Sequence, residues 1–239
     1  MYEIWIFWVL SLVISTTAIS FFIKMSKKSD AVTAIYVVYI AISQILAVKV
    51  VNFGLFEAPA AVLIFPFTFQ LTDVMNEHFG QRETHRMILI AFITQVLMMI
   101  FLYFGTTLDP VVYWWVDEAQ WDMIFTSTFG ITISSWISYL ICENLDAILY
   151  SKIRAKTKGN HLWMRSILTD IPMLALDSVI FVSLAFGVFE GNWALVPTLI
   201  QGQLFMKWFF GVIDTPFLYL DRYITKGIQI DLSMPKTRE

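Results

Sequence analysis

Charged side chains stand inside long apolar segments of this 239-residue chain. On insertion scales, an Asp, Lys or Arg at the centre of a bilayer costs about 2.5–3.5 kcal/mol, so such groups persist only where they face a cavity, a partner or a ligand. The groups concerned are Asp73, Glu77, Glu143, Asp146, Asp177, Asp214, Lys49 and Lys207. The excess of acids over bases predicts that some carboxyls are protonated, which suits proton coupling or a ligand rich in hydrogen-bond donors.

The spacing of these residues places several of them on shared helix faces. Asp73 and Glu77 lie four residues apart, with Asn76 beside them, so a helix presents them on one side. Pro66 stands seven residues before Asp73, and we expect it to kink that helix and to free a carbonyl that lines a cavity. A second face carries Glu143, Asp146, Tyr139 and Tyr150.

A further polar stripe and one opposing acid indicate an ion pair between two helices. Asp177 stands in the middle of an apolar run, and Lys207 lies well inside another. Helical spacing aligns on one face Gln203, Lys207, Gly211 and Asp214. An interhelical Asp177–Lys207 pair is geometrically reasonable, either as part of a functional site or as a packing clamp.

The other charged residues also have structural interpretations. Lys49 lies near a helix end and can extend its ammonium group towards the interface. Glu77 is close enough to the opposite end of its helix to be hydrated. Glu143 and Asp146 can be structural partners of a basic loop. A binding role and a structural role therefore both stay open for these four residues.

Composition places the elements that carry these groups in a membrane. Hydrophobic residues make up 58% of the chain and charged residues 15%, against about 45–50% and about 25% in soluble domains. A helix needs about 20 mainly apolar residues to cross the hydrocarbon core. The fold class predicted is an all-α, polytopic transmembrane bundle. Seven segments are long enough, near residues 4–24, 31–51, 58–79, 86–108, 124–151, 167–189 and 194–221.

The basic residues outside the predicted spans all fall on one side of the membrane in this arrangement. They are Lys24, Lys27, Lys28, Arg82, Arg86, Lys152, Arg154, Lys156, Lys158, Arg165, Arg222, Lys226, Lys236 and Arg238. The opposite loops carry Glu57, Asp109, Asp117, Glu118, Asp122 and Glu190. Because Lys and Arg collect in cytoplasmic loops, we expect an outside N-terminus and a cytosolic C-terminus.

Several kinds of chemistry lack their usual residues. Cys142 is the single cysteine, which excludes a disulfide framework and a Cys-rich metal site. The three histidines lack zinc-binding spacing, and neither a phosphate-cradling glycine loop nor a G-x-S-x-G elbow occurs. We therefore predict no cofactor, no metal and no enzymatic activity. The basic loops indicate topology and contact with anionic membrane lipid, not nucleic acid.

One motif resembles a known family signature. Residues 64–80 read IFPFTFQLTDVMNEHFG, which resembles the signature of the queuosine precursor transporter family, also described as vitamin-uptake-like transporters. Weaker similarities follow in the same order, at residues 145–154, 176–187 and 207–219, with another at 45–51. Many members lack a span like 4–24, so the resemblance implies an extra N-terminal span (1–30), a transporter core (31–222) and a cytosolic tail (223–239) in one domain.

The resemblance implies uptake of a deazapurine such as 7-cyano-7-deazaguanine or its aminomethyl derivative, for tRNA modification. A guanine-like edge offers two adjacent N–H donors that one carboxylate can accept together, and a flat ring needs an apolar slot. The expected substrate-binding residues are Asp73, Asn76, Glu77, Phe65, Phe67, Phe69, Glu143, Asp146, Tyr150, Asp177 and Lys207. The expected coupling or ion-pair residues are Asp177, Lys207, Lys49 and Asp214.

Several alternatives stay open beside an ATP-independent, proton-coupled importer of the cell membrane. The chain can instead be the substrate-binding subunit of an ATP-driven vitamin-type transporter, or it can carry another purine-like vitamin. An intramembrane enzyme would need a nucleophile–base pair or metal ligands that the sequence lacks, and a scaffold would leave the buried charges without a purpose. The sequence also leaves a homodimer open.

Overall fold

A computed structural model gives the architecture of residues 2–47, 49–52, 57–111, 117–126, 129–157, 162–189 and 191–226. The α-helices are α1 (Tyr2–Ser26), α2 (Asp30–Ala47), α3 (Phe65–Phe79), α4 (Gln81–Thr106), α5 (Glu118–Thr126), α6 (Phe129–Lys156), α7 (Leu162–Val182) and α8 (Val196–Ile224). Of the predicted charges, Lys158, Glu190, Lys236 and Arg238 lie outside the described residues, as do the side chains of Glu57, Arg165 and Asp214.

The bundle is that of an all-α membrane protein, as predicted. Large apolar side chains cover its outside. The exposed fractions of Phe7, Ile14 and Phe101 are 69%, 67% and 71%. Such an apolar surface is typical of a protein whose outside is in contact with membrane lipid. Among the described residues, the helices long and apolar enough to cross a membrane are Ile6–Ser26, Asp30–Ala47, Gln81–Thr106 and Leu162–Phe189. The predicted number of seven spans stays a prediction.

The segment predicted as the third span, residues 58–79, is not one continuous helix. Strands β1 (Val50–Asn52) and β2 (Glu57–Pro59) form an antiparallel hairpin. A 3₁₀ turn (Ala60–Leu63) follows, and α3 begins only at Phe65. The prediction of a span beginning at residue 58 is therefore wrong, because the chain turns back as a hairpin before the helix starts.

Pro66 is the second residue of α3 and does not kink the helix. The proline lies in the first turn of the helix, where its missing N–H would have no intrahelical acceptor and its fixed φ already suits a helix. The predicted kink and freed carbonyl are therefore wrong. The helix then runs from Pro66 past Asp73 to Phe79.

Lys49 does not lie inside a helix either. Helix α2 ends at Ala47, and Lys49 is exposed in the connection to β1. Its backbone carbonyl accepts a hydrogen bond of 2.7 Å from the N–H of Ala60. The sequence placed Lys49 within the second span because apolar residues continue on both sides of it.

Helix α1 packs on the outside of α3 and α8. The Trp8 indole donates to the Leu63 carbonyl at 2.8 Å, and the Gln70 amide of α3 donates to Thr16 at 2.7 Å. Ser20 donates to Asp221 of α8 at 2.7 Å. These bonds satisfy polar groups between helices, where water is excluded.

Gly80 forms the sharp turn that joins α3 to α4. Its φ of 81° and ψ of 169° lie in a region that is almost exclusively glycine. Its N–H donates to the Asn76 carbonyl, and its own carbonyl accepts from Thr84. The turn thereby fixes where α3 ends.

We expect Gly80→Ala to lower the free energy of unfolding by about 1–3 kcal/mol, because a Cβ strains this backbone conformation although space is free around it. The measurement is thermal unfolding of the purified protein in detergent. Gly105→Ala, at an unstrained helical glycine, is the matched control and should leave stability equal or higher. Equal stabilities of the two variants would contradict the prediction.

Candidate substrate site

A cavity lies between α2, α3, α6, α7 and α8, towards the end of the bundle that carries the β-hairpin. Its walls combine apolar, aromatic, polar and charged side chains. The lining includes Ile40, Gln44, Phe65, Phe69, Ser135, Tyr139, Glu143, Asp177, Phe181, Gln203 and Lys207. A largely apolar pocket with a few converging polar groups is the usual form of a small-molecule site.

An ion pair between α7 and α8 forms one wall of the cavity. The Lys207 ammonium contacts the Asp177 carboxylate, and Lys207 is 1% exposed. Ser138 of α6 donates a second hydrogen bond to Asp177, at 2.5 Å. The Lys207 Nζ also lies 4.1 Å from the centre of the Phe65 ring, in cation–π geometry. Four helices are thus joined around one buried cation.

Glu143 is a further polar residue of the lining and is held by two hydroxyl groups. Tyr36 of α2 and Thr72 of α3 both donate to its Oε2 atom, at 3.0 and 2.8 Å. The residue is 4% exposed, so it is removed from bulk water. Two donors on one oxygen fix the direction of the carboxylate beside the cavity.

Aromatic rings supply the apolar part of the lining. Phe65 and Phe69 come from successive turns of α3, Tyr139 from α6 and Phe181 from α7. Tyr139 is fixed by a hydrogen bond of 3.1 Å from its hydroxyl to the Ile88 carbonyl of α4. Rings from three helices can enclose a planar ligand by stacking.

Three buried carboxyl groups meet beyond the cavity. They lie towards the end of the bundle that carries Arg154 and Arg222, which we call the basic end. Asp73 of α3, Asp146 of α6 and Asp170 of α7 each bring an oxygen within 4.8 Å of the others. Asp170 accepts hydrogen bonds from Ser166 at 2.7 Å and from Thr169 at 3.2 Å. We call this group the acidic triad. The sequence analysis missed Asp170 because the predicted span starts at residue 167, five residues after the start of α7. Asp170 then falls in the first turn of the span, where a carboxylate is not unusual.

The basic end of the bundle holds a third polar group. Asn76 links α3 to α6 by donating to the Ala147 carbonyl and accepting from Ser151, at 2.8 and 2.7 Å. Arg154 donates to the Asn76 carbonyl at 2.8 Å and lies 3.5 Å from Glu77. Tyr150 donates to Glu77 at 3.3 Å. These contacts hold α3 and α6 together at the basic end.

His78 adds a contact between α3 and α8 at this end. Its Nε2 atom lies 2.8 Å from the Asp221 carboxylate, which also accepts from Ser20. The sequence analysis missed Asp221, because it falls at the last residue of the predicted span. Asp221 is 3% exposed, so its carboxylate is buried near the end of α8.

Comparison with known proteins assigns the chain to a family. The model of the family described as "Putative vitamin uptake transporter" matches residues 59–220. The chain belongs to this family. The chain is also similar to the "Probable queuosine precursor transporter" of Bacillus subtilis (strain 168), with 24% identity over 169 residues, which are 70% of this chain and 72% of the relative. No solved structure gives a significant match.

The family match covers most of the elements that build the cavity of this vitamin uptake transporter. It includes α3, α6, α7 and α8 and begins after α1 and α2. Within the described residues, α1 contributes no side chain to the cavity lining. The helix lies outside the site and contacts it through α3 and α8.

The structure divides the predicted substrate-binding residues of this transporter among several places. Those in the cavity are Phe65, Phe69, Glu143, Asp177 and Lys207. Asp73 and Asp146 belong to the triad, and Asn76, Glu77 and Tyr150 lie at the basic end. Phe67 packs against Trp8 and Tyr39. Of the other predicted coupling residues, Lys49 is exposed, and the Asp214 side chain lies outside the described residues.

We expect Lys207→Met to destabilise the transporter by about 3 kcal/mol or more, because it leaves the Asp177 carboxylate without its cation. Adding Asp177→Asn should recover most of the loss, since no unpaired charge then remains. Thermal unfolding in detergent measures both. Arg86→Met, which breaks the exposed pair with Glu83, is the control and should change little. A double variant no more stable than Lys207→Met would contradict the prediction.

Proposed function

We propose that the protein imports a queuosine precursor such as 7-cyano-7-deazaguanine or its aminomethyl derivative across the cell membrane. The observation that carries the proposal is the cavity, where two carboxylates and a lysine stand among aromatic rings inside a helix bundle. Membership of the vitamin uptake transporter family and similarity to a relative named for queuosine precursors support the substrate class.

The lining suits the chemistry of a deazaguanine. The planar ring would stack between Phe65, Phe69 and Phe181, which gain from contact with a flat apolar surface. The amino group of the guanine edge would face a carboxylate, and Glu143 and Asp177 are the acids in the lining. An aminomethyl cation would be stabilised by the same carboxylates.

The polar groups are arranged as steps along α3. Phe65 and Asp73 are eight residues apart, which is about 12 Å along a helix, and Glu77 lies another 6 Å further. The cavity, the triad and the basic end thus follow one another towards the basic loops. We propose that substrate enters from the hairpin side and leaves at the basic end. The basic loops then face the cytosol, with the N-terminus outside.

We further propose that transport is coupled to protons through the acidic triad. Three carboxylates so close together in a medium of low dielectric constant repel one another strongly, so protons or a cation must offset their charge. Thr72 connects the triad to the cavity, because it immediately precedes Asp73 and donates a hydrogen bond to Glu143. Substrate at Glu143 can therefore influence the triad through α3.

We expect cells unable to make deazaguanines to take up labelled 7-cyano-7-deazaguanine only when they produce this protein. Glu143→Gln should lower uptake about tenfold or more, because a neutral amide is a weaker hydrogen-bond acceptor for the amino group than a carboxylate. Glu83→Gln, at a surface pair on α4, is the matched control and should retain uptake.

Wild-type uptake in Glu143→Gln, with the variant at normal level in the membrane, would contradict this use of the cavity. Absence of uptake in the wild type would detach the substrate from this chain. Purified protein reconstituted alone into vesicles then separates two mechanisms. Transport without a partner excludes an ATP-driven complex, whereas transport only with an added ATPase module would support one.

We expect a proton gradient, acid outside, to drive accumulation of substrate in vesicles that contain the wild-type protein. Asp170→Asn should abolish accumulation against a gradient but should retain exchange of substrate, because it alters the triad and leaves the cavity intact. Asp30→Asn, at an exposed acid, is the control. Accumulation indifferent to the proton gradient in the wild type would exclude this form of coupling.

A further inference from the structure

One polar side chain in the cavity is buried without a partner for its acceptor atom. Gln203 lies on α8, one turn before Lys207, lines the cavity and is 4% exposed. Within the part of the chain that the structure describes, its Oε1 atom has no hydrogen-bond partner. A buried acceptor left unsatisfied costs about 1–3 kcal/mol, and such groups are rare in native proteins unless they have a role.

Other polar groups of the cavity make hydrogen bonds within the protein. Glu143 accepts from two hydroxyl groups through its Oε2 atom, and Asp177 accepts from Lys207 and Ser138. Gln44, which also lines the cavity, donates through its amide nitrogen to Gln95 and Ser135, at 2.7 and 3.2 Å. Both N–H groups of Gln44 are therefore used, and it can only accept from a ligand.

We propose that Gln203 is a specificity-determining residue that binds the substrate directly and selects a lactam edge. The proposal rests on the proposed function of the cavity. A carboxamide carries an acceptor beside a donor, and it pairs with a ligand edge that carries a donor beside an acceptor. In a guanine-like base this edge is the N1–H group and the O6 oxygen.

The position of Gln203 gives the substrate two different polar contacts. Lys207 and Gln203 lie four residues apart and share a face of α8, and Glu143 of α6 lines the same cavity. A ring held between aromatic side chains can then present its lactam edge to Gln203 while its amino group faces a carboxylate. An analogue with hydrogen in place of the O6 oxygen has an acceptor at N1 and no polar group at C6, so it can form only one of the two hydrogen bonds in either orientation of the amide.

The test uses the purified full-length protein in detergent and two probes, 7-cyano-7-deazaguanine and its analogue with hydrogen in place of the O6 oxygen. Gln203→Met keeps the side-chain volume and removes the amide. We expect it to weaken binding of the lactam probe about tenfold or more and to remove the preference over the analogue without O6. Gln201→Met, two residues away on the exposed face of α8, should bind as the wild type does.

The stability of the ligand-free variants separates a binding role from a structural one. We expect Gln203→Met to unfold at the same temperature as the wild type or higher, because an apolar group replaces an unsatisfied one. A larger loss of stability than in Gln201→Met would show that Gln203 holds the fold, and it would overturn the proposal. Unchanged binding and selectivity in Gln203→Met would overturn it as well.

Failure of the proposed function has a different signature. The wild-type protein would then bind neither probe, and the comparison of ligand-free stabilities alone would decide the role of Gln203. A variant as stable as the wild type would still support a side chain that faces a ligand. A destabilised variant would assign it to the fold.

Discussion

The buried ammonium group of Lys207 is the charge around which the bundle is arranged. Lys207 is 1% exposed, so the carboxylate of Asp177 and the face of Phe65 stabilise its charge in place of bulk water. Ser138 completes the coordination of the carboxylate from a further helix. The relative positions of α3, α6, α7 and α8 therefore depend on this one contact, and the cavity lies beside it.

The polar groups of the core occur at three levels that follow one another along the helices. The cavity holds acids, a lysine and aromatic rings, the triad holds three carboxyls, and the basic end holds an arginine with its partners. Each level joins α3 to α6, so a movement of α3 would alter all three together. This arrangement suits alternating access, in which helices rock about a central site while the fold stays intact.

The outer elements confine the movement of these helices. Helix α1 is hydrogen-bonded to α3 and to α8 through Gln70 and Asp221, and Asp221 also contacts His78. Gly80 sets a tight turn from α3 into α4. The ends of α3 and α8 at the basic side are thus held together, whereas the hairpin side of α3 begins at a proline after a short 3₁₀ turn.

The sequence by itself determined the class of the protein and the character of its core. The surplus of apolar residues requires lipid, and charges within apolar segments must turn inwards, because both follow from transfer free energies that hold in any fold. Asp73, Asp146, Glu143 and Lys207 are accordingly buried. The signature at residues 64–80 also indicated the family that the chain belongs to.

Only the tertiary structure decided which of these groups meet. Hydropathy cannot distinguish a helix from an apolar hairpin. The predicted start of the third span, the predicted kink at Pro66 and the predicted position of Lys49 inside a span were therefore wrong. Helical spacing relates residues of one helix only, so it could not separate Glu143 in the cavity from Asp146 in the triad. Asp170 and Asp221 stood at predicted span ends, where a carboxylate needs no explanation. Their roles depend on contacts between distant segments, which no local pattern encodes.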